Sequence, residues 1–203
     1  MLISNKIKSR GDTLIEVLFA ISVFSLVAVG GISIMNQGVN ASQRALEITL
    51  VRNEIDAQAE TLRFLNASYV SAYQSGAASY SDVAGKWKSM STDAELMVGN
   101  ISPFGSTCDA PSGSFILNTK TATFIKKSGN EGLFKPANTF AQVLYDGNNI
   151  LAVYGMWVEA IKSGNDSSNS DYIDFHIRAC WDAPGQSTHA TLGTIVRLYE
   201  PTN

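Results

Sequence analysis

The sequence predicts an α+β protein, a long N-terminal membrane-spanning helix packed against a C-terminal antiparallel β-sheet domain. Three observations predict it. An uncharged apolar run fills positions 17–35. A helical repeat of apolar residues follows from Arg44 to Tyr69. Beyond residue 114, apolar and polar residues alternate in short segments separated by turn-forming residues.

Composition bounds the rest. Of 203 residues 45% are hydrophobic, enough for a core, while charged residues reach 16%, below the roughly 25% usual in soluble domains. The shortfall is local, because no charge occurs between Glu16 and Arg44. The formal net charge is −3. Such a chain lacks the clustered Lys and Arg that neutralise a phosphate backbone, so nucleic acid is not expected as a partner.

The run 17–35 is nineteen apolar or small residues. As a helix it spans about 30 Å, the thickness of a bilayer's hydrocarbon core. Lys6, Lys8 and Arg10 precede it and no basic residue lies within the eight positions after it. That asymmetry places the N-terminus in the cytoplasm and the remainder outside. Glu16 stands at the very edge of the run, where a carboxylate drawn toward the bilayer centre costs up to roughly 3 kcal/mol. Acids in such places are usually partnered and functional. An ordinary secretory signal is the alternative, with Ala28-Val29-Gly30 as a loose cleavage match, but the acid at the start of the apolar region argues against it.

The stretch Gly11-Asp12-Thr13-Leu14-Ile15-Glu16, entered from a basic leader and continued by the apolar run, resembles the cleavage motif of type IV prepilins and pseudopilins. The resemblance covers about the first quarter of the chain. It implies that a membrane aspartic peptidase, the prepilin peptidase, cuts after Gly11 and often methylates the new N-terminus, here Asp12. It also makes Glu16 the fifth mature residue, the family's assembly glutamate. Removing 1–11 leaves twelve basic against eighteen acidic residues. The freed amine lies four residues, about 6 Å of helix, from Glu16, so Glu16 of one subunit can pair with the amine of a neighbour as both leave the lipid. Two features depart from the family pattern. Asp12 stands where Phe is commonest, and Gly30-Gly31 stands in a segment where many shaft subunits carry Pro.

From Arg44 the residues Ile48, Val51, Ile55, Leu62, Leu65 and Tyr69 form one apolar helix face, with Glu47, Arg52, Glu54, Asp56, Glu60 and Arg63 largely opposite. Gln58 interrupts that face and disfavours a coiled coil. No strong breaker separates this segment from the apolar run. The expected organisation is a leader 1–11, one helix over 12–73 (transmembrane at about 14–35, amphipathic at 44–73), an irregular connection 74–113 with a short helix near 82–90, and a β-rich domain 114–203. Phe115–Leu117 and Ala122–Ile125 read as one hairpin. Phe140–Tyr145 and Ile150–Val158 form another around Asp146-Gly147-Asn148-Asn149. Ile173, Phe175, Ile177, Ala179 and Trp181 mark the buried face of a strand whose polar face carries Asp174, His176 and Arg178, and Thr194–Tyr199 supplies a last strand.

Cys108 and Cys180 are the two cysteines, without CxxC or zinc-ligand spacing. A Cys108–Cys180 disulfide is the natural reading for an exported domain, with unpaired buried thiols as the alternative. No GxSxG, HExxH or P-loop pattern occurs, so no catalytic residues, cofactor or metal are expected. The loop 164–171 offers oxygen ligands without calcium-loop spacing and reads as a solvated turn. His189 follows Pro184-Gly185 in a loop, and Lys86/Lys88 and Lys126/Lys127 are small basic pairs that read as solvated, with a DNA contact through Trp87 as the alternative for the first.

The functional expectation is a minor pilin, a structural and non-enzymatic subunit of an extracellular type IV pilus-like filament. Its partners would be other pilin subunits, the prepilin peptidase and, before assembly, membrane lipid. A pseudopilin of a type II secretion or DNA-uptake system is the second reading, and a single-pass surface binding protein the third.

Overall fold

Helix α1 runs from Asp12 to Gln74 through both units into which the chain divides, residues 1–43 and 44–203. The computed structural model describes residues 12–77, 79–80, 82–105, 107–163 and 171–201. In the first unit every large apolar side chain from Leu14 to Val39 is exposed, between 44% and 75%. The best window of α1 has a mean hydropathy of 2.4, and the helix is long and apolar enough to cross a membrane. Ser22 and Ser25 donate their hydroxyls to the carbonyls of Leu18 and Ile21, both at 2.8 Å, so neither brings an unmet donor into the apolar stretch.

The second unit is α+β. Its elements are the outer part of α1, α2 (Asp82–Ser91), β1 (Phe115–Asn118), β2 (Thr123–Lys126), β3 (Phe134–Lys135), β4 (Gln142–Asp146), β5 (Asn149–Tyr154), β6 (Met156–Lys162), β7 (Tyr172–Trp181) and β8 (Ala190–Tyr199). A five-stranded antiparallel sheet has the order β2-β1-β6-β7-β8, and a three-stranded sheet the order β3-β5-β4. Val51, Ile55, Leu62, Leu65 and Tyr69 of α1 lie in one buried core with Phe115, Leu117, Ile173, Phe175 and Ile177. Burying each such side chain contributes roughly 1.5–3 kcal/mol, which is what holds the helix on the sheet.

Three features differ from the sequence expectation. Ile150–Val158 is two strands in two sheets, because Gly155 turns the chain between them with φ +57°. A Cβ there would stand 2.1 Å from the Cys180 carbonyl oxygen, so only glycine fits. The second sheet also contains a parallel pair, β3 with β5, too short at two residues to show a period. Finally, β8 starts four residues earlier than the apolar pattern from Thr194, since the register with β7 extends to Ala190↔Trp181.

The tips of the two hairpins are tied together. Asn118 donates through Nδ2 to the Asn148 carbonyl at 2.7 Å, and Lys120 donates through Nζ to that of Gly147 at 2.8 Å. Gly147, with φ +58°, is the first of the two residues closing β4 to β5.

Candidate functional site

Of the residues proposed for processing and assembly, Gly11 lies outside the described residues, as does the leader 1–11. Asp12 begins α1, and its side chain is likewise outside the description. Glu16 lies on α1 one helical turn further on and is exposed. It is the last charged residue before Arg44.

The outer part of α1 is fixed to the sheet by polar contacts as well as apolar ones. Gln58 is fully buried. Its Nε2 donates to the Leu117 carbonyl at 2.8 Å, and its Oε1 accepts from the Leu117 N–H at 2.9 Å. The register Phe115↔Val158 would place Leu117 opposite Met156, where β6 turns away at Gly155. The glutamine amide replaces the missing strand. Glu47 is also not on a solvent face, as the helical pattern suggested, because its Oε2 accepts from Trp181 Nε1 at 3.0 Å. Glu54 is half-buried, and burial raises its carboxyl above the ordinary value, partly offset by the Val143 backbone N–H.

The other face of the sheet carries a second polar cluster. Glu159 on β6 is fully buried and accepts from Arg178 Nη1 at 2.8 Å, Trp157 Nε1 at 3.1 Å and the Ser102 N–H at 3.0 Å. Burial pushes the Glu159 carboxyl up, but these donors outweigh it and hold it below the usual range. Arg178 also donates to the Ser102 carbonyl and lies 3.8 Å from the centre of the Phe104 ring. The segment containing Ser102 and Phe104 is closed down on the strand by the Cys108–Cys180 disulfide, with Cα atoms 5.3 Å apart. The expected pairing of the two cysteines is therefore present.

Sequence reasoning assigned Arg178 to a polar face with Asp174 and His176, and the structure corrects this for Arg178, which is 8% exposed. A signal was available. Strict alternation puts Cys180 on the same face, and a cysteine bonded to a distant segment brings that segment over its neighbours. Asp174 pairs with Arg197 at 2.7 Å through both oxygens, and that partner holds its carboxyl below its ordinary value. Burial lowers the His176 imidazole.

The remaining candidates are dispersed. His189 meets Asp182. Among the described residues no three His, Cys, Asp or Glu side chains are grouped as a metal site. The loop 164–170 lies outside the described residues. Trp87 is fully buried against Phe175, ring centres 5.7 Å apart, and cannot stack on a base. Lys86 donates to the Thr121 carbonyl at 2.8 Å, Lys127 to that of Ala110, and Lys126 lies between Asp93 and Glu95 at 2.7 and 2.8 Å.

No protein-family model matches the chain, and no curated protein or solved structure is significantly similar to it.

Proposed function

We propose that the chain is a type IV prepilin-like subunit, most specifically a minor pilin, cut after Gly11 and built into an extracellular filament through its N-terminal helix. The observation that carries this reading is Glu16, a lone exposed acid at the start of an apolar helical stretch whose side chains are unburied within the chain. A contiguous apolar surface of that extent needs lipid or other helices around it. A carboxylate entering such surroundings needs a cation. The amine freed at Asp12 of a neighbouring subunit is the cation that the resemblance supplies.

The outer domain suits the same role. It is anchored on residues 44–74 of the same helix, where Gln58 bonds Leu117 and Glu47 accepts from Trp181. The disulfide fits a domain that works outside the cytoplasm.

The test is Glu16→Leu in the native cell. The apolar helix is kept, so membrane insertion should persist while the protein disappears from sheared surface filaments. Unchanged recovery from filaments would refute the reading.

A further inference from the structure

We infer that the hollow beside Gly193 on the outer face of β7 and β8 binds a carboxylate-bearing sugar. This stands independently of the filament reading.

The hollow, about 210 Å³, is bordered by Phe104, His176, Arg178, Thr191, Gly193 and Ile195. It exists because the register sets Gly193 opposite Arg178. A Cβ at Gly193 would approach the Ile177 carbonyl oxygen to 2.9 Å and Arg178 Cγ to 3.8 Å, so glycine at this position adds no side chain over the arginine.

Arg178 is held in one orientation. Nη1 is occupied by Glu159 and the Ser102 carbonyl. Phe104 lies against the guanidinium, and the Trp157 ring centre is 5.6 Å from it. Nε and Nη2, which share the other edge of the fork, make no hydrogen bond among the described residues. Neither is sealed in without a partner, since Trp87 Nε1 is the one such atom among those residues. A fixed, partly desolvated edge with two parallel donors matches the two oxygens of a carboxylate. Glu159 already balances the arginine's charge, so the fork selects by geometry.

The rim favours a sugar over an acidic side chain. Thr191 and His176 offer hydrogen-bonding groups on either side of the fork, suited to ring hydroxyls. Phe104, 39% exposed, and Ile195, 60% exposed, give apolar walls for the C–H face of a ring. The volume suits one ring and falls below the roughly 300 Å³ at which pockets for larger ligands begin.

The experiment is ligand-observed NMR on the full-length protein in detergent micelles, with D-glucuronate, D-glucose and N-acetylaspartate amide as probes. Saturable binding of glucuronate and not of glucose is expected. Arg178→Lys keeps a cation for Glu159 but removes the fork, and should weaken glucuronate by about tenfold or more. Thr191→Trp fills the hollow from an exposed position without touching the ion pair, and should abolish binding, which decides the matter if Arg178→Lys does not fold. Absent glucuronate binding, equal binding of glucose, preference for N-acetylaspartate amide, or binding undisturbed by Thr191→Trp would overturn the inference.

Discussion

Gln58 sits among leucines and isoleucines, where an amide without partners would destabilise the fold by a few kcal/mol. Both its groups are used, because Leu117 has lost its strand neighbour at the point where Gly155 turns β6 out of line. Gln58→Leu is an apolar replacement of similar size, yet it leaves a buried N–H and a buried carbonyl unmet. Chemical denaturation should show a loss of about 3 kcal/mol; a neutral outcome would mean water or a shifted strand replaces the amide. Gly155→Ala should be worse, beyond about 4 kcal/mol, since the added carbon meets backbone that cannot withdraw. Two carboxylates set opposite pH dependences. Glu159 is held below its unfolded value of 4.5, so its contribution is complete above that pH and fades as pH falls through the lowered folded value. Glu54 is raised from 4.5, so its burial opposes folding increasingly as pH rises from there through its folded value. At neutral pH, Glu159→Gln should lower stability by about 3 kcal/mol while Glu54→Gln raises the thermal midpoint. The same sign for both variants would contradict these assignments.

At the scale of elements, residues 98–105 and 107–110 belong to no helix or strand and are held to the sheet by cross-links. The Val98 N–H bonds the Ala160 carbonyl at 2.8 Å, Ser102 meets Glu159 and Arg178, and Cys108 is bonded to Cys180. Cutting the disulfide releases a loop of 72 residues in separation, worth about 4 kcal/mol in the chain-entropy model. Cys108→Ser with Cys180→Ser should lower the melting temperature with Glu159 and Arg178 still in place, and reductant should lower that of wild type alike. What was legible in the sequence follows from this division. The apolar face of α1, the DGNN hairpin and the inner face of β7 are local repeats, visible without a tertiary partner. The roles of Gln58, Glu47, Glu159 and Arg178 depend on strands and loops dozens of residues away. Period alone reads Gln58 as an interruption and Glu47 and Arg178 as solvent-facing, and it gives Glu159 no role at all. Gly155 was hidden for a related reason, as an apolar run continues on both sides of it while the chain changes sheets.

At the scale of the whole molecule, one continuous helix carries two kinds of surface. Its outer part is covered by the sheet, and its first part presents apolar side chains that are exposed among the described residues. On the function proposed above, lipid before assembly and neighbouring helices afterwards would satisfy that first part, and the free amine of a processed neighbour would satisfy Glu16. All of this requires removal of the leader and retention of the helix. Mass spectrometry of the N-terminal peptide of the protein recovered from cells tests that directly. The account predicts a mature chain beginning at Asp12 with the apolar segment intact. A chain beginning at Met1, or at Gly31 with the apolar segment lost, would contradict it.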